Sequence, residues 1–237
     1  MKIFIKSVLL ISLNFYCSKP QKMNQQTDTK LVNTDKGITY LALGDSYTIG
    51  ESVLAEDSYP YQITKLLNDA NTAVESPEII AVTGWTTKDL LAAIATEKPS
   101  NNYNFVTLLI GVNNQYSGED ISIYQKDFTT LLNKAISFAS GDKSRVFIIS
   151  IPDWGVTPFA KDDVRSSLQI GKEIDRYNAF AKKITSAAGV SFTNITPASR
   201  NAATDTTLVA SDGLHPSGKM YAEWADIVTS KILEGLK

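Results

Sequence analysis

A chain of 237 residues, 43% hydrophobic and 20% charged, has ordinary globular composition and enough length to bury a sizeable core. Its formal net charge of −2 gives no electrostatic reason to expect nucleic acid, whose binders carry basic patches. A single cysteine excludes an internal disulfide, and the absence of a Cys/His cluster with metal-ligand spacing leaves no metal or other cofactor expected.

The N-terminus has its own texture. Lys2 and Lys6 precede a short apolar stretch, Val8 to Phe15, and Cys17 follows directly. A basic start with so short an apolar segment reads as a secretory signal over residues 1–16, not a membrane span. Cys17 resembles the acceptor cysteine of a bacterial lipoprotein, although Tyr16 stands where a small residue is usual. The expectation is an exported protein held at a cell-envelope membrane through an acylated Cys17. The alternative is an ordinary signal peptide and a secreted soluble protein. Residues 17–37 are polar, cannot bury enough surface to order themselves, and read as a tether. Residues 38–237 are expected to form the folded domain.

Within that domain, strand-like and helix-like segments alternate. Apolar runs predict buried strands at Ile38–Leu43, Glu78–Val82, Phe105–Ile110, Arg145–Ile151 and Val190–Ile195. Several are continuous, such as Phe105 to Ile110, as expected of strands covered on both faces. Helical patterns occupy Tyr59 to about Asn71 and Thr87 to Thr96. Apolar stripes at helical spacing follow: Ile121, Tyr124, Phe128, Leu131, Leu132 and Ala135; then Ile174, Tyr177, Ala181, Ile184 and Ala188; then Tyr221, Trp224, Ala225, Val228 and Ile232. Such alternation implies an α/β domain with a mainly parallel sheet and helices on both faces. Ligands of such sheets bind beyond the carboxyl ends of the strands.

The polar candidates fall at those ends. Gly44-Asp45-Ser46 follows the first strand, Gly84 the second, Gly111-Val112-Asn113-Asn114 the third, and Pro152-Asp153-Trp154-Gly155 the fourth. Asp212 and His215 lie after the fifth, in Asp212-Gly213-Leu214-His215-Pro216. His215 is the only histidine, so an imidazole base can be no other residue. Ser46 is a poor nucleophile until a base takes its proton. His215 would take it, and Asp212 would hold the imidazole's other N–H. The Ser46 and Gly84 N–H groups and the Asn113 amide are the candidate oxyanion donors. Asp45 reads as a structural hydrogen-bonder of the turn. Asp153 and Trp154 either line a pocket or stabilise a loop; Tyr47 and Tyr116 are candidate rim residues.

Gly44-Asp45-Ser46-Tyr47, Gly84, Gly111-Val112-Asn113-Asn114 and Asp212-Gly213-Leu214-His215-Pro216, in this order, resemble the four sequence blocks of the SGNH hydrolases, the GDSL-type esterase/lipase family. The resemblance runs from about Thr39 to the C-terminus. It implies a flavodoxin-like three-layer αβα sandwich with a five-stranded parallel sheet in the order 2-1-3-4-5. It also implies metal-free hydrolysis of a small-molecule ester or thioester, with Ser46, Gly84, Asn113 and His215 as the four name-giving residues. The third block departs from the family's usual aspartate, which is here Asn114. Two rivals stand beside this reading. One is a non-catalytic binding lipoprotein on the same fold. The other is a flavin-binding flavodoxin-like protein, which gives the chain no reason to carry a serine–histidine pair.

Overall fold

A computed structural model describes residues 37–236. The expected signal segment (1–16), Cys17 and all but the last residue of the expected tether lie outside the described residues. Five parallel strands, β1 (Tyr40–Asp45), β2 (Glu78–Val82), β3 (Phe105–Leu109), β4 (Val146–Ile149) and β5 (Ser191–Thr193), form one sheet in the order β2-β1-β3-β4-β5. This is the expected doubly covered α/β sheet. Every residue of β1, β3 and β4 is buried, whereas the edge strands β2 and β5 are partly open. The continuous apolar runs therefore mark the centre of the sheet.

Helices α2 (Tyr59–Asp69) and α8 (Gly218–Gly235) pack on each other, and α8 lies against β4 and β5. Helices α3 (Thr87–Glu97), α5 (Ile121–Phe138) and α6 (Ser167–Ala188) form a second group through α3–α5 and α5–α6 packing, with α3 on β1 and β2 and α5 on β3. The helix starts obey local chemistry. Thr86 and Asp89 make a reciprocal capping box at α3; Asp120, Ser166 and Ser217 accept first-turn N–H groups of α5, α6 and α8. Among the described residues, no helix is long and apolar enough to cross a membrane.

Four of the five strands have other bounds than the sequence leads one to expect: β1 is shifted, and β3, β4 and β5 are shorter, while β2 agrees. Ile38 sits in an isolated bridge with Val74, and β1 instead continues through Gly44 and Asp45, which are buried without being apolar. At the open edge β5 is only three residues long, because β4 offers three partners to pair with. Short helices α1 (Ser46–Ile49), α4 (Val112–Tyr116) and α7 (Thr196–Ser199) fill connections that carry too few residues for a periodic signal.

Gly44 governs how β1 ends. A Cβ there would lie 2.0 Å from Thr48 Oγ1 and 2.4 Å from the Leu109 carbonyl oxygen, so only glycine lets α1 fold back this tightly over β3. Gly44→Ala is expected to destabilise the protein by about 1–3 kcal/mol through overpacking, because both clashing partners are fixed from buried positions. Urea unfolding of the two proteins measures this, and equal midpoints would contradict it.

Candidate active site

The site is assembled at the carboxyl edge of the sheet. Ser46 is the first residue of α1, immediately after β1, and is 2% exposed. Asp45 is the N-cap: its Oδ1 accepts the Tyr47 N–H at 3.0 Å. The first-turn amides of α1, Ser46 N–H among them, have no intrahelical acceptor and face a place where negative charge is favoured.

His215 arrives from the other end of the chain. The Ala210 N–H donates to its carbonyl at 2.7 Å, and Val209 bridges Pro216, so the loop before α8 is pinned on both sides of the imidazole. Its Nε2 lies 2.9 Å from Ser46 Oγ, and its Nδ1 lies 2.5 Å from Asp212 Oδ2. A carboxylate on Nδ1 fixes the hydrogen there and leaves the Nε2 lone pair toward the serine. Asp212 Oδ1 accepts the Leu214 and His215 N–H groups at 2.9 Å each. Partial burial raises the Asp212 carboxyl, but these bonds, that of the imidazole foremost, outweigh it and hold Asp212 at about 2. The Tyr47 ring, buried, leans on the imidazole with centroids 5.1 Å apart.

Asn113 and Ser46 share a pocket with His215, as the order of the blocks leads one to expect. Asn113 Nδ2 donates to the Trp85 carbonyl at 2.9 Å, which uses one amide hydrogen and leaves the second available. Gly84 is placed differently. It lies on the exposed turn after β2, with φ +83°, and is not part of the pocket lining. What ties it to the site is that bond from Asn113 to the carbonyl of the very next residue.

The departure at Asn114 has a structural reason. Its side chain is fully buried; Oδ1 accepts the Thr87 N–H at 3.0 Å, while Nδ2 donates to Thr87 Oγ1 at 3.0 Å and to Glu119 Oε2 at 2.8 Å. The amide thus clamps the start of α3 and satisfies a carboxylate at once. An aspartate here would meet Glu119 with like charge and no donor.

The pocket holds about 110 Å³ and is lined by Tyr47, Val112, Tyr116, Trp154, Phe159 and Leu214 around Ser46, Asn113 and His215. Tyr47 and Tyr116 are the rim residues expected from the sequence, Trp154 proves to line the pocket, and Val112, Phe159 and Leu214 join the lining without a sequence signal. Trp154 is at once core and wall: it is 2% exposed and its Nε1 donates to Gln115 Oε1 at 2.7 Å. Tyr116 meets its edge at 5.3 Å between centroids and Phe159 at 6.1 Å. The Arg165 guanidinium stands 5.2 Å from the Trp154 ring centre and is itself paired with Asp163 at 2.9 Å. Asp153, by contrast, is structural: it accepts the Gly155 N–H at 2.9 Å and pairs with Arg200 at 2.8 Å. Phe159 lay in a stretch with no periodicity, so only its bulk could have marked it.

Asp45 carries an unusual state. It is completely buried, its Oδ2 has no hydrogen-bond partner, and burial pushes its carboxyl up to about 8 against the opposing pull of the Tyr47 N–H. The folded protein therefore keeps a proton that the unfolded chain, with a carboxyl at 3.8, releases. The stability contribution is complete below about 4 and is lost as pH rises toward about 8. Asp45→Asn keeps the cap acceptor and removes the titration. It should match wild type near pH 4 and exceed it increasingly up to pH 8 (urea midpoints against pH); parallel profiles would refute the assignment.

A family model for the GDSL-like lipase/acylhydrolase family matches residues 42–223. No curated protein matches the chain. Among solved structures, the chain is similar to a lipase/acylhydrolase from Enterococcus faecalis at 18% identity, covering 84% of this chain and 97% of that one with a TM-score of 0.64. It is also similar to the lipase Lip_vut3 from a goat rumen metagenome, at 20% identity over 84% and 100% of the two chains, TM-score 0.64. The acetyl xylan esterase AlAXEase aligns at 17% identity over 82% and 100%, TM-score 0.65. These likenesses are of fold.

Proposed function

We propose a mechanism for this chain, which belongs to the GDSL-like lipase/acylhydrolase family and is by that membership a carboxylic ester hydrolase: an acyl group passes through Ser46. The observation that supports it is the unbroken run of contacts from Ser46 Oγ to His215 Nε2 at 2.9 Å and from His215 Nδ1 to Asp212 Oδ2 at 2.5 Å. Ser46 Oγ attacks the ester carbonyl while its proton passes to His215 Nε2. Asp212, held ionised, stabilises the imidazolium. The negative oxygen of the tetrahedral intermediate is met by the Ser46 N–H and the free amide hydrogen of Asn113, with the Gly84 turn tied to them through the Asn113–Trp85 bond. Imidazolium then gives its proton to the leaving alkoxide, the C–O bond breaks, and an acyl-serine remains. Water, deprotonated by the same imidazole, returns the acid and the free hydroxyl.

The pocket supports a short acyl group. About 110 Å³ is small beside the roughly 300–1,000 Å³ of sites for drug-sized ligands, and aromatic rings form much of its lining. Tyr116 and Phe159 stand at the outer end of that wall, 47% and 40% exposed, so the pocket mouth is open, which suits acetyl or similarly short esters of a bulkier alcohol such as a sugar. The basic and apolar N-terminus with Cys17 supports export and lipid anchoring of this activity at the cell envelope, with secretion as a soluble enzyme the alternative.

Ser46→Ala should lower kcat on p-nitrophenyl acetate by at least about 10³-fold, since both the nucleophile and the intermediate are lost. A variant that hydrolyses at the wild-type rate would end the proposal. With acyl chains from two to twelve carbons, kcat/KM should peak at two to four and fall about tenfold by eight; Phe159→Ala should extend the range. A preference for long chains in the wild type would contradict the short pocket.

A further inference from the structure

The Asp212 carboxylate has a fourth partner that belongs to neither its own loop nor the imidazole. Ser52 Oγ donates to Asp212 Oδ2 at 2.8 Å, onto the same oxygen that faces His215 Nδ1. With the Leu214 and His215 N–H groups on Oδ1, four donors surround one carboxylate, and its acceptor capacity is filled. Ser52 reaches it across 160 positions of sequence, from the turn that leaves α1.

That turn is unusual. Ser52 has φ +67°; the other described non-glycine residues with positive φ, Asn71, Lys98 and Ser140, each close a longer helix. Its neighbour Glu51 accepts the hydroxyl of Thr83, the residue before Gly84. Adjacent side chains of the nucleophile's own turn thus hold the base loop on one side and the Gly84 loop on the other.

We propose that Ser52 is a positioning residue for ester hydrolysis: it fixes the Asp212 carboxylate, and through it the imidazole, relative to Ser46, with Glu51 bracing the opposite loop. This rests on the serine–imidazole reading above. In the resting enzyme Ser52 shares Oδ2 with the imidazole and keeps that oxygen from rotating away; it does not touch the ester.

Ser52→Gly isolates the hydroxyl, because glycine accepts the positive φ without strain and the fold should persist. The expected result is a kcat about fivefold lower with KM unchanged, as for a lost hydrogen bond to a charged group that matters while charge develops. A second readout is specific. His215 is the only imidazole, so the downfield proton resonance of its Nδ1–H can be assigned without ambiguity, and it should shift or broaden in Ser52→Gly. Ser52→Ala should show the same two changes, and Ser46→Ala serves as the control. If Ser46→Ala is inactive while Ser52→Gly keeps kcat within about twofold and an unmoved resonance, the role of Ser52 is refuted and the relay stands. If Ser46→Ala remains active, the relay itself is refuted.

Discussion

One hydrogen bond, from Ser46 to His215, joins positions 169 residues apart, and the remaining architecture exists to keep it short. Neither partner could be held there by local structure. Ser46 is fixed because β1 lies at the centre of the sheet, paired on both sides, and ends in a turn that the absence of a side chain at Gly44 makes possible. His215 is fixed because its loop is stitched to residues 208–210 before α8 begins, and α8 is buried against α2, β4 and β5. A soft sheet would let both groups drift by more than a hydrogen bond tolerates.

Around that bond, buried polar groups act as fasteners between loops. Ser150, Asn178 and Thr196 exchange bonds near the end of β4; Asp153 and Arg200 join the next loop to the end of α7. Gln115 links the wall tryptophan to Glu173 on α6, and Arg165 closes the same network from the opposite loop. A satisfied polar network of this kind gives the pocket one shape, where apolar contacts alone would permit several. Among the described residues, the one buried carboxyl with an unpartnered oxygen, Asp45, resolves its burial by holding a proton.

The sheet was legible in the sequence because central strands are apolar on both faces, and burial there leaves no other composition. Ser46 and Asn113 were legible because each stands just beyond the end of a strand, and Asp212 and His215 because they lie beyond the last strand and the chain offers no second imidazole. Gly84 was found by the same logic, yet its turn is open and its tie to the pocket runs through Asn113 and Trp85. The aromatic wall was largely hidden. Tyr116, Trp154 and Phe159 come from separate connections, and nothing in their spacing says that three rings meet. Ser52 was invisible for a similar reason: a serine in a turn looks like any other until the partner across the fold is known.

The half-buried contact between Asn114 and Glu119 also constrains how this sequence can change. Replacing the amide by an acid first would set a buried anion against the half-buried carboxylate of Glu119, whereas removing Glu119 first leaves the amide one partner short but neutral. The route toward the aspartate more usual at position 114 therefore has a preferred order of steps. Epistasis between two positions five residues apart follows from a single shared hydrogen bond.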